Sequence, residues 1–312
     1  MVTHATVHKA SAEFSKLIDT LLSTSDQRTR TVIKTRLCPP AFRASAFAPC
    51  LLAEPFGVTD GQLLYKASLA GLCLTGFSST IDDLADKADK SYAVCAHIGC
   101  LLLSEAASIY ATNLYNHHKF WPRWQRYLSE ASEAERFLWR HTKAVVPYDM
   151  RDFQMLGMKS ALLNTSIAYY ADLSGSDEMV CSLEEGLMNL ATGVQIIDDL
   201  FDWREDYEAK HFTFPIVFCE ADVTSLVSVE SRINSVECIA GVIQVATDYL
   251  HRGRQCFDTC GALQMLSFVT TLTDGLESAR RHIEQCPSIC HPTEDLSRIN
   301  RIRRLISPRL AH

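Results

Sequence analysis

The sequence predicts an all-α fold: one domain of long helices, spanning residues 1–312, packed around a central apolar cavity. Apolar residues recur with helical spacing almost everywhere, the first of three observations behind this prediction. In EEGLMNLATGVQIIDDLFDW, Leu187, Leu190, Val194, Ile197 and Phe201 trace one stripe. KASLAGLCLTGFSSTIDDLADKADK and DFQMLGMKSALLNTSIAYYADL read the same way. The second is that alternating strand patterns are nearly missing. The short run FTFPIVF (212–218) reads better as a loop and helix start, because Pro215 interrupts regular structure. The third is the spacing of the breaks. They fall at CPPAF (38–42), AEPFG (53–57), FWPR (120–123), VVPY (145–148), SGSD (174–177), TFP (213–215) and CPSICHP (286–292), leaving helices of about 15 to 30 residues between them. No repeat period or low-complexity linker divides the chain, so a single helical core is expected.

Composition narrows the function. Hydrophobic residues make up 47% of the 312 and charged residues 21%, a globular balance. The net charge of −7 argues against a broad nucleic-acid-binding surface. MVTHATVHKA lacks the apolar core of a secretory signal. The longest uncharged runs, 67–81 and 91–104, fall short of the roughly 20 residues a bilayer requires. A cytoplasmic protein without a transmembrane segment is expected, and a homodimer is allowed.

The twelve cysteines then read as reduced, buried thiols rather than a disulfide framework. Cys256/Cys260 and Cys286/Cys290, with His251, His282 and His291 nearby, leave a zinc site conceivable. Their CxxxC spacing is looser than a structural zinc knuckle, and buried thiols are the default.

VQIIDDLFDWREDYEAK (194–210) follows an apolar run with six acidic residues, Asp198, Asp199, Asp202, Glu205, Asp206 and Glu208. On a helix, Asp198 and Asp202, and Asp202 and Asp206, are i, i+4 neighbours, while Asp199 lies three before Asp202. Like charges so placed cost a few tenths of a kcal/mol per pair unless a cation neutralises them. Carboxylates without Cys or His suit a hard ion such as Mg²⁺. A solvated helix face would explain one such cluster. A second occurs in SSTIDDLADKADK, with Asp82, Asp83, Asp86 and Asp89. Both clusters have the form DDLxD, and both end an apolar helix. Lying 116 residues apart, they are expected to face each other across a bundle. Mg²⁺ binds few carboxylates and completes its shell with phosphate oxygens, so the ligand expected between the clusters is a diphosphate bridged by several Mg²⁺ ions. The apolar helices leading into the clusters would line the pocket for the rest of the substrate.

From about residue 60 to 220 the chain resembles the class I isoprenoid synthases, on the strength of these two motifs. GVQIIDDLFDW is similar to the chain-elongating synthases, in which a Gln precedes the second motif, here Gln195. Lys159 in GMKSALL stands where those enzymes carry a diphosphate-binding Lys. DWREDYEAKHFTFP is similar to a segment of squalene and phytoene synthases, with Lys210 at a basic position. The resemblance implies Mg²⁺-dependent ionisation of a prenyl diphosphate. Asp82, Asp86, Asp198 and Asp202 would be catalytic, and with Asp83, Asp199 and Asp206 they would hold metal. Gln195, Lys159, Lys210 and Arg304 would hold diphosphate.

Phe77, Tyr169 and Phe201 would face the cation, although for each aromatic taken alone core packing is the default role. Lys159 reads equally as a surface lysine. The tail arginines Arg298, Arg301, Arg303, Arg304 and Arg309 read either as a solvated helix end or as a lid over the diphosphate.

Two departures shape the activity expected. KADKSYAVC after the first motif has no Arg pair, and the N-terminal cations are only Lys34, Arg36 and Arg43, without the Gly-Gly that cradles a second diphosphate in condensing enzymes. The Asn…Ser…Glu triad of microbial terpene cyclases is also missing. The expected activity is therefore a one-substrate terpene synthase, with a prenyltransferase joining two prenyl diphosphates as the alternative. A non-catalytic regulatory partner of such an enzyme comes third, because decay would strike the aspartates first.

Overall fold

The computed structural model describes residues 3–285 apart from 24–26, 28–29, 32–33, 35–36, 38–42, 87–90 and 115–117; for 43–45, 82–86 and 91–95 it describes the backbone alone. Among the described residues there is no strand. The helices are α1 (Thr3–Leu21), α2 (Arg43–Leu52), α3 (Gly61–Asp86), α4 (Ser91–Ala111), α5 (Phe120–His141), α6 (Met150–Met158), α7 (Thr165–Ser174), α8 (Val180–Glu208), α9 (Phe214–Phe218), α10 (Leu226–Ile233), α11 (Val236–Thr259) and α12 (Leu263–Gln285). No described helix is long and apolar enough to cross a membrane.

Several expected boundaries shift. FWPR opens α5 rather than breaking the chain, since a proline in the first turn gives up an N–H that has no helical partner anyway. Pro215 plays the same part in α9. The segment DFQMLGMKSALLNTSIAYYADL is not one helix. α6 ends at Met158, a 3₁₀ turn covers Ala161–Asn164, and α7 begins at Thr165. Ser160 N donates to Gly157 O at 3.0 Å, and Thr165 Oγ1 donates to Leu162 O at 2.7 Å. Such local bonds compete with the helical ladder, so apolar periodicity alone overstated its length.

Contacts group the described chain into two compact units, one comprising Met1–Trp124 with Leu162–Val180 and the other Gln125–Ala161 with the chain from Cys181 on. In the first, α3 packs along α4, and α1 and α2 pack on α3. Its core holds an aromatic cluster in which Tyr110 meets Tyr169 at 4.9 Å and Phe120 at 5.1 Å between ring centroids. Tyr169 is fully buried there, beside Tyr170.

The second unit is built on α8. Buried side chains surround this helix, from Leu183 and Leu187 through Ile196, Ile197 and Leu200 to Trp203. Small residues let neighbouring backbones touch it. A Cβ at Gly253 of α11 would stand 2.9 Å from Gly186 O, and one at Gly193 would stand 2.8 Å from Ala246 O.

α6 approaches α8 as closely. A Cβ at Gly157 would lie 2.6 Å from both Met188 O and Thr192 Oγ1. Thr192 Oγ1 shares its proton between Phe153 O of α6, at 3.1 Å, and Met188 O, at 2.9 Å. Gly157→Ala should therefore destabilise the protein. Alanine's propensity gain of about 1 kcal/mol in a helix is outweighed by an overpacking cost of about 1–3 kcal/mol, since the clash is with backbone that cannot rotate away. Chemical denaturation would check this, expecting a lower midpoint at an unchanged slope.

Candidate metal and diphosphate site

The last four turns of α8 carry Gln195, Asp198, Asp199, Asp202 and Asp206. Helical repeat splits them into two sets. Asp198, Asp202 and Asp206 follow one another at i, i+4 steps and are half-buried. Asp199 is turned inward and only 6% exposed. Its Oδ1 accepts a hydrogen bond from Gln195 Nε2 at 2.7 Å, while its Oδ2 is buried with no hydrogen-bond partner. Asp206 Oδ2 accepts from Thr213 Oγ1 at 3.0 Å, in the loop leading to α9.

Burial, reinforced by the charge of Asp206, pushes the Asp199 carboxyl well above the ordinary carboxylate range; the Gln195 hydrogen bond and the Lys159 charge oppose it. Burial likewise pushes Asp206 up to about 7, against the Thr213 hydrogen bond and with help from Asp202 and Asp198. Burial thus disfavours the charged form of both acids. An acceptor-rich, desolvated stripe of this kind gains most from a cation.

Lys159 caps the C-terminus of α6, its Nζ 3.3 Å from Glu135 Oε1, and its charge also acts on Asp199. Lys210 is exposed just beyond α8 with φ of 57°, and among the described residues it forms no ion pair. Phe201 and Phe77 are half-buried on α8 and α3. Asp82, Asp83 and Asp86 form the last turn of α3, which keeps the i, i+4 relation of Asp82 to Asp86 in the backbone. Asp89, Arg304 and the other tail arginines, together with Cys286, Cys290 and His291, lie outside the described residues. Cys256 is partly exposed and Cys260 buried at the end of α11.

Three residues near the α8 stripe went unnoticed in the sequence. Tyr148 has a buried hydroxyl with no partner, and burial together with the charges of Asp199, Asp152 and Asp206 raises its pKa far above that of free tyrosine. Asp152 closes a capping box at the start of α6, accepting Asp149 N–H at 2.6 Å on Oδ2. Its Oδ1 stands 3.3 Å from His141 Nδ1. The signal was present in YDMRD, where Asp149 and Asp152 have capping-box spacing just ahead of an apolar run.

No family model matches the chain, and no curated protein matches it. Solved structures do. A geranylgeranyl pyrophosphate synthetase from the archaeon Geoglobus acetivorans aligns at a TM-score of 0.68 and 17% identity, covering 86% of this chain and 99% of that one. A decaprenyl diphosphate synthase from Rhodobacter capsulatus aligns at 0.69 and 12% identity, over 88% and 98%. A polyprenyl synthase from Caulobacter crescentus, complexed with calcium and isoprenyl diphosphate, aligns at 0.61 and 15% identity, over 83% and 93%. The chain therefore has the all-α fold of the class I isoprenoid synthases.

Proposed function

We propose that the protein is a prenyltransferase, which ionises an allylic prenyl diphosphate, joins the cation to a second prenyl diphosphate and releases diphosphate. The acid stripe of α8 carries the reading: four aspartates on two adjoining helix faces, with Asp199 and Asp206 desolvated, in a fold whose similar solved structures are prenyl diphosphate synthases. That setting puts condensation ahead of the cyclisation the sequence had favoured. We take residues 1–312 as one domain, since the solved synthases are matched over nearly their whole length.

The donor set, all carboxylate oxygen, fits Mg²⁺. Asp198, Asp202 and Asp206 would hold it, while Gln195 fixes the inward carboxyl of Asp199 behind them. Asp82, Asp83 and Asp86 would do the same on α3. Bound Mg²⁺ supplies the positive charge that stabilises the departing diphosphate. Lys159, Lys210 and Arg304 would add cationic donors to the diphosphate oxygens. Phe77 and Phe201 would present ring faces to the carbocation and help exclude water. Tyr169 is fully buried in the first unit's core, beside Tyr170, which favours a packing role for it.

A specific observation keeps a one-substrate terpene synthase as the second reading. Of the N-terminal cations, the Lys34 side chain is described, and it pairs with Asp19 at 2.5 Å, leaving it engaged elsewhere than with a second diphosphate. Incubation with an allylic diphosphate and labelled isopentenyl diphosphate separates the two. Label in a longer prenyl diphosphate is the expected result. A hydrocarbon or alcohol formed without label would transfer the assignment to the terpene synthase. No turnover of any C10 to C25 allylic diphosphate would overturn both.

A further inference from the structure

α5 and the start of α6 flank an open pocket, built from different residues than the α8 stripe. It has a volume of about 470 Å³ and is lined by Glu133, Arg136, Phe137, Arg140 and His141 of α5 and by Arg151 of α6. Helical spacing explains the convergence. Glu133, Phe137 and His141 follow at i, i+4 steps, as do Arg136 and Arg140, so one side of α5 turns these groups toward the start of α6.

The charges in this pocket are unbalanced. Three guanidinium groups face one carboxylate, in a chain whose net charge is −7. Elsewhere in the same unit several cations meet acids: Arg126 pairs with Glu184 at 2.6 Å, Arg280 with Glu284 at 3.0 Å and Lys159 with Glu135 at 3.3 Å. Among the described residues no ion pair is formed by Arg136, Arg140 or Arg151. Arg136 Nε reaches only Ser132 O, at 3.4 Å. Arg151 lies over the Phe137 ring, 5.0 Å from its centroid, which leaves the guanidinium edge open for hydrogen bonding.

His141 is fixed at the edge of this group. It stacks on Phe137 at 13° between ring planes, and its Nδ1 is turned to Asp152. Its Nε2 is buried without a hydrogen-bond partner. Three like charges set against a single carboxylate repel one another, and a multiply charged anion relieves that repulsion.

We propose that this pocket binds a phosphate or diphosphate group through Arg136, Arg140 and Arg151. Arginine forks match the paired oxygens of a phosphate, which a lysine's point charge does not. The Phe137 ring is packed against by Arg151 and His141. Glu133 favours a ligand that reaches the arginines without filling the whole pocket. The group could arrive as free phosphate or diphosphate, or as a lipid headgroup, since Trp139, Val145, Val146 and Met150 are exposed on the same turn of chain. The site does not depend on the prenyltransferase reading.

Binding is tested without Mg²⁺, in EDTA, so that a metal-bridged diphosphate at the aspartates does not contribute. Inorganic phosphate and diphosphate are titrated calorimetrically into wild type, Arg140→Gln/Arg151→Gln and Asp198→Asn/Asp202→Asn. Sedimentation with phosphatidylcholine vesicles, with and without phosphatidic acid, forms the lipid arm. Both arginines are exposed, so the double variant should fold, and its melting temperature verifies that. The expected result is binding by wild type and by the aspartate variant, weakened at least about tenfold in the arginine variant. Capture on phosphatidic acid vesicles alone, lost in the arginine variant, would support the site and assign the lipid source. Failure of wild type to bind phosphate, diphosphate or phosphatidic acid, or equal binding by a folded arginine variant, would overturn it.

Discussion

Asp198→Ala and Asp202→Ala, singly, should lower product formation from an allylic diphosphate by roughly two orders of magnitude or more, the scale seen when an electrostatic partner of a developing anion is removed. The fold should survive. Both side chains are only half-buried on α8, so their removal opens no core cavity. The metal-free melting temperature should change little while turnover collapses, a pairing that general destabilisation cannot produce. Asp82→Ala and Asp86→Ala should behave alike if the last turn of α3 shares the work. Near-normal product from the α8 variants would remove the site.

A second large effect should appear in the pH dependence of stability. Burial raises the Asp199 carboxyl well above its usual range and takes Asp206 to about 7, with Asp202, Asp198 and Glu205 adding to the latter and the Thr213 hydrogen bond opposing it. The folded state therefore holds these protons more tightly than the unfolded chain, whose aspartates titrate near 3.9. The stability this confers is complete below about pH 4 and drains away as pH rises to about 7 and beyond. Asp149, Asp177 and Asp222 are shifted the other way by hydrogen bonds, so their contribution is already complete above about pH 4 and does not mask the trend.

The metal-free protein should accordingly melt lower at about pH 8 than at about pH 5.5, by on the order of 5 °C. Asp199→Asn with Asp206→Asn should flatten the dependence. Mg²⁺ with diphosphate should restore the melting temperature at the higher pH, since a ligand bound only by the folded state stabilises it by mass action. Mg²⁺ alone should do less, because it finds few protein oxygens without phosphate. Identical metal-free melting at both pH values would show that the stripe is solvated.

The sequence by itself determined the all-α class, the positions of most helices and the acid stripe. Apolar residues at helical spacing and aspartates at i, i+4 are properties of a single helix, legible without knowing what packs on it. Asp198, Asp202 and Asp206 share a face wherever α8 goes. Tertiary structure alone decided which aspartate was taken out of water. Asp199 and Asp198 are adjacent in the chain and identical in type, yet packing in the second unit buries one, ties it to Gln195 and leaves the other half-exposed. It also decided where the long apolar run after Asp149 breaks, because the approach of Gly157 to α8 and the local bonds of Ser160 and Thr165 leave periodicity unchanged. The arginine pocket was hidden for the same reason: Arg151 is separated from Arg136 and Arg140 by a loop, and only the packing of α6 beside α5 makes three ordinary surface cations into one concentrated charge.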